Sequence, residues 1–127
     1  MIEQNIKQFW FEFECWKRAL LHLQSENVYL KNRLAHITKD EFTNDILSDI
    51  EYYHAILIAE DNTIALLRND ISSQETWLKR EIVQKKSDLK EVLKSQKKLR
   101  REIETSEQKF NKLKSDFNSF FAEKLLK

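Results

Sequence analysis

The sequence predicts an all-α protein: a long antiparallel helical hairpin or bundle of three helices, four if the last one breaks, joined along coiled-coil-like 3-4 seams. Three observations predict it. The 127-residue chain contains no Gly and no Pro, where average usage of roughly 7% and 5% would supply about nine and six. Tight hairpin turns rely on Gly or Asn at positive φ, so sheet architectures are disfavoured, whereas helices tolerate losing their two poorest formers. Charged residues make up 34% of the chain, as expected of long helices with solvated faces. Eight Phe, three Trp and three Tyr argue against disorder, because disordered chains are poor in aromatics. The third observation is apolar residues recurring at alternating steps of three and four, a spacing that keeps one face of a helix against a neighbour.

The first helix is expected over 2–37. Its seam is Ile2, Ile6, Phe9, Phe13, Trp16, Leu20, Leu23, Asn27, Leu30, Leu34 and Ile37, with Asn27 the one polar member. Trp10, Leu21 and Val28 widen the stripe toward bundle packing. Phe11 lies nearly opposite the seam, where a third helix is expected to cover it. Thr38 and Glu41 have capping-box spacing, in which the Thr hydroxyl and the Glu carboxylate satisfy each other's backbone N–H groups. A turn is therefore placed near 37–40.

The second helix is expected over 40–70, on the seam Ile46, Ile50, Tyr53, Leu57, Glu60, Ile64, Leu67 and Ile71, broadened by Phe42, Leu47, Ile56 and Leu66. Around Asn69–Glu75 the seam is read as 71, 74, 78, 82, with two consecutive fours, and Ser72 and Glu75 again have capping-box spacing. A second turn is the expectation here. The competing reading is a single helix that continues through a stutter.

The third helix is then expected over 73–127. Leu78, Ile82, Lys85, Leu89, Val92, Gln96, Leu99, Ile103, Ser106, Phe110, Leu113, Phe117 and Phe120 form a narrow seam. Polar members of such seams fix register. At 1.5 Å per residue the three helices would measure ~54, ~46 and ~80 Å, so the third would overhang the hairpin. Glu104–Glu107 could mark a break into a fourth helix, but the seam crosses it uninterrupted.

The net charge of +1 conceals an asymmetry. Residues 1–78 carry 7 Lys/Arg and 13 Asp/Glu, and residues 79–101 alone carry 10 basic and 3 acidic residues. Lys86, Lys90, Lys94, Lys97 and Arg101 form a basic stripe. A stripe of this kind can neutralise phosphates, but no aromatics interleave it to stack bases. Charges beside a seam more commonly set partner choice. With the third helix folded back at the expected register, Lys86 would meet Glu60, Lys94 would meet Glu51, Lys98 would meet Asp49 and Arg101 would meet Asp45.

Chemistry is sparsely encoded. Without Gly there is no P-loop, dinucleotide fingerprint or nucleophile elbow. Glu51-x-x-His54 is half of a di-iron motif, which needs two such pairs and two further Glu residues; no metal ligands or cofactor are assigned. Cys15, the single cysteine, excludes an intrachain disulfide, suits a reducing compartment and reads as a small packing residue. There is no basic start followed by an apolar run, and no apolar run approaches the ~20 residues that cross a bilayer, so a cytoplasmic protein without membrane contact is expected.

The functional expectation is a non-enzymatic interaction or scaffold protein. It self-associates, with a dimer favoured, or binds another helical protein through Phe9, Phe13, Trp16, Leu20, Asn27, Leu99, Ile103, Phe110, Phe117 and Phe120. A nucleic-acid-associated protein using 79–101 is the alternative, and a metal-binding bundle a minor one.

Overall fold

A computed structural model describes residues 2–37, 44–84 and 90–125, with side chains over 6–36, 46–84 and 90–124. Three helices, α1 (Ile2–Ile37), α2 (Asn44–Val83) and α3 (Lys90–Leu125), pack against one another. Their lengths of 36, 40 and 36 residues correspond to ~54, ~60 and ~54 Å. Nothing overhangs. α2 runs antiparallel to α1, and α3 returns along α2, parallel to α1.

The expected turn at 70–73 is absent. α2 passes through it as continuous helix, so the boundaries 40–70 and 73–127 are replaced by those above. The reason is in the seam. Gln74 is its next member, 4% exposed, followed by Leu78 at 0%, so 60, 64, 67, 71, 74, 78 never leaves the 3-4 alternation. The two consecutive fours arise only if Ile82 is counted, and Ile82 is 38% exposed. Ser72 faces solvent, and its carbonyl accepts a 3.0 Å bond from the Thr76 hydroxyl one turn on. Isolated Ser, Asn and Asp cost a helix only a few tenths of a kcal/mol each, too little to break one whose buried face is intact. α3 crosses 104–107 without a break. The Thr38–Glu41 capping box, Phe42, Lys85, Lys86 and Leu89 lie outside the described residues.

The core is one apolar cluster contributed by all three helices, from Phe9, Phe13 and Trp16 near one end to Phe117 near the other. Each large side chain in it contributes roughly 1.5–3 kcal/mol of burial before entropy is subtracted. Phe13 meets Trp10 and Trp16 edge to face, at 5.3 and 5.8 Å between centroids. The apolar tail finds its groove within the chain: Phe117 and Phe120 pack on Tyr53 of α2 at 5.4 and 4.9 Å. Some expected contributors turn outward instead. Leu21 (60% exposed), Val28 (43%) and Leu66 (63%) do not widen the core, and Phe11 is left uncovered at 65%. Cys15 is exposed rather than packed.

The two flanks of the α1 seam each serve one neighbour. Toward α2, Lys17 meets Glu75 at 2.9 Å, Gln24 accepts from Arg68 at 3.1 Å, and Lys31 meets Asp61 at 2.6 Å. These rungs repeat every seven residues on both helices. Toward α3, Glu12 meets Arg100, Glu26 meets Lys114 at 3.0 Å, and the Arg33 guanidinium lies 3.9 Å above the Phe121 ring centroid. This ladder also follows a heptad offset, now between parallel helices.

Candidate interaction surface

The buried polar residues tie the helices together at defined levels. Gln74 of α2 donates to Gln96 Oε1 at 3.0 Å and to the Val92 carbonyl at 3.2 Å, and accepts from the Ser95 hydroxyl at 2.8 Å. Gln96 donates to Glu12 Oε1 at 3.4 Å, and Arg100 donates to both Glu12 oxygens at 2.5 and 2.8 Å. One connected network thus spans all three helices, and the Glu12 carboxylate and its hydrogen bonds raise the Arg100 pKa against the opposing effect of burial. A second level is set by Asn27, fully buried, which donates to the Leu57 carbonyl at 2.9 Å and to Asp61 Oδ1 at 2.8 Å. Burial works to raise the Asp61 pKa, but bonds from Lys31 and Asn27 outweigh it and hold that carboxyl below its usual value.

The α2–α3 flank is different. No ion pair joins these helices among the described residues. A groove of about 560 Å³ runs between them, lined by Glu60, Asp70, Glu102, Ser106 and Lys109 among others. Buried Oε2 of Glu60 and Oγ of Ser106 find no hydrogen-bond partner. Burial pushes the Glu60 carboxyl above its usual pKa, with Lys109 only partly offsetting it. Glu60 therefore faces α3, on the side of Lys109.

The residues expected to form an intermolecular seam are spent inside the chain. Phe9, Phe13, Trp16, Leu20, Asn27, Leu99, Ile103, Phe110, Phe117 and Phe120 are all buried in the single chain, the most exposed of them at 8%. None is free to receive a partner while the bundle is folded. The basic stripe is partly brought together: Lys94, Lys97 and Arg101 are exposed on the outer side of α3, as is Lys90, while Lys86 lies outside the described residues. The expected pairs of Lys94 with Glu51 and Lys98 with Asp49 do not form, and the Asp45 side chain expected beside Arg101 lies outside the described residues. With the reversal moved past Val83, Gln74 sits opposite Gln96 and Tyr53 opposite Phe117, which carries the acidic half of α2 to the far end from these cations. Lys98 instead lies 3.9 Å from Glu102 on its own helix.

One surface escaped the sequence reading. On the side of α2 turned away from the core, Tyr52, Ala55, Ala59, Asn62, Leu66, Asn69, Ser73 and Thr76 are all exposed. They form a second 3-4 row. Beside it lie Ile58, Ala65 and Ser72, also exposed. None of these positions is charged, in a chain that is 34% charged; the α2 charges between 55 and 76 (Glu60, Asp61, Arg68, Asp70, Glu75) all occupy the seam or its flanks. The row was legible as a second alternation out of phase with the first. It was missed because Ala, Asn and Ser do not register as apolar. Leu21 of α1 borders the same side and lines a groove with Lys17, Arg68 and Ser72.

A comparison of the chain with protein-family models, curated proteins and solved structures finds no match. Among the described residues no group of three or more His, Cys, Asp or Glu is placed to hold a metal ion, and no helix is long and apolar enough to cross a membrane.

Proposed function

We propose that the protein is a non-enzymatic helical scaffold that binds another helix on the outer face of α2, in the manner of a coiled coil. The observation that carries this reading is the uncharged, exposed row from Tyr52 to Thr76, with the exposed Leu21 and Val28 of α1 beyond the rungs of Lys17, Arg68 and Lys31. Solvated helix faces in this chain are otherwise rich in Lys and Glu, and a long face kept free of charge is what helix-on-helix packing requires. The reading moves the partner from the expected seam, which the core consumes, to the opposite side of α2. A cytoplasmic setting belongs to it, since an exposed lone thiol persists where the medium is reducing. The test is a paired capture from the native cell with the unmutated protein and with Leu66→Glu. Loss of the same captured protein in the variant is the expected result. Identical captured sets would overturn the reading.

A second reading rests on a different observation. Lys94, Lys97 and Arg101 make no ion pair with any described residue and project from one end of α3. Such a surface would hold a nucleic-acid backbone by counterion release. Fluorescence anisotropy with duplex DNA and RNA should then show affinity falling steeply with salt, and Lys94→Ala with Lys97→Ala should flatten that slope. Salt-independent binding, or none, removes this reading.

A further inference from the structure

We propose that the occupant of the α2 face is a second copy of this chain, lying antiparallel about a two-fold axis at Ala65. The inference rests on the interaction reading above and specifies its partner. The first support is size. The row from Tyr52 to Thr76 is ~36 Å long, and with the neighbouring side of α1, the rungs of Lys17 and Arg68 included, the face is two helices or ~20 Å wide. That amounts to on the order of 700 Å² per copy, close to the ~800 Å² of a standard stable interface.

The second support is self-complementarity. About Ala65, which meets its own copy, Ile58 falls opposite Ser72 of the other copy, both of them exposed. The larger side chain meets the smaller one, which lets the helices approach closely.

The third support is charge, and it selects both the partner and the direction. Over 44–67 α2 carries Asp and Glu but no Lys or Arg, whereas its end at Lys79–Arg80 lies beside the cationic start of α3. Glu51 and Lys79 lie 14 residues, two heptads, either side of Ala65 along one edge of the helix. That is the edge toward α1, where Lys79 sits 5.9 Å from the Trp10 ring centroid. The two-fold brings Glu51 of each copy to Lys79 of the other, twice. In a parallel pair this edge of the two copies would lie on opposite sides of the seam, so Glu51 and Lys79 would not meet.

Sedimentation equilibrium on the full chain, from low micromolar to the highest soluble concentration, tests the proposal. The unmutated chain should approach a dimer. Ala65→Glu, which sets two carboxylates together at the axis, should be monomeric with unchanged helical circular dichroism, and should melt where the unmutated chain melts once diluted below its dimer range. Glu51→Lys or Lys79→Glu alone should weaken the dimer about tenfold, and the two together should restore it, because the exchanged charges meet again only in the antiparallel arrangement. A monomer at all concentrations, or a double exchange no better than the single ones, overturns the self-pairing. Neither outcome touches the interaction reading, which falls only if Leu66→Glu leaves the captured proteins unchanged.

Discussion

Glu12 of α1 and Arg100 of α3 hold each other through two hydrogen bonds of 2.5 and 2.8 Å, 88 residues apart in sequence. Glu12 is 9% exposed and shares an oxygen with Gln96. The pair therefore anchors α3 to α1 at the level where Gln74 also enters. Glu12→Ala should cost roughly 1–3 kcal/mol in urea unfolding, since it strands Arg100 and Gln96 together. A double-mutant cycle with Arg100→Met should return a clear coupling energy. A coupling of zero would mean that the two side chains merely lie close.

Two phenylalanines near each other in sequence should behave oppositely. Phe13 is 1% exposed inside the core and Phe11 is 65% exposed. Phe13→Ala should destabilise the fold by about 3–5 kcal/mol, while Phe11→Ser should fall within about 0.5 kcal/mol of the unmutated chain. Thermal melts of both variants check this. A large cost at Phe11 would show that its ring is covered in solution.

Asn27 links register to acid stability. It helps keep the Asp61 carboxyl below its usual pKa. A carboxyl that is lowered on folding stabilises above its unfolded pKa, and that contribution disappears as the pH falls through the lowered folded value. Urea midpoints should therefore drop through the acid range, and Asn27→Ala should both lower stability at neutral pH by roughly 1–3 kcal/mol and shrink the acid-dependent part. An unchanged pH profile in the variant would show that Lys31 alone sets the Asp61 titration.

Glu60 carries the opposite sign. Its carboxyl is raised by burial, so the folded state holds the proton more tightly than the unfolded chain does. Its contribution is most favourable below the unfolded carboxylate pKa and is lost as the pH rises through the raised folded value. Glu60→Gln should remove that dependence and raise the melting temperature at neutral pH, with little change in acid. A lower neutral melting temperature would indicate that the carboxylate makes a compensating contact with Lys109.

The periodic parts of the fold were readable because they are repetitive. The α1 seam from Phe9 to Leu34 and the α3 seam from Val92 to Phe120 both describe the core, polar members included. What the sequence concealed was the second reversal. Ser72 and Glu75 imitate a helix start, and Gln74 does not resemble a core residue until Gln96 and Ser95 are beside it to satisfy its amide. That misplacement shifted the α2–α3 register, and every expected partner of the basic stripe moved with it. The outer row of α2, though present as an alternation, is passed over for a related reason: apolar counting finds Leu and Phe, whereas this surface is distinguished by the charges it lacks.

A hairpin of α1 and α2 offers two grooves, and greasy side chains alone would let the third rod settle into either, giving mirror-related bundles. The α1 flanks remove that freedom. Lys17 and Lys31 line the side that meets Glu75 and Asp61, while Glu12 and Glu26 line the side that meets Arg100 and Lys114. Exchanging the grooves would set lysine against Arg100 and Lys114, and glutamate against Glu75. The handedness of the whole assembly is thus written in four charges on one helix.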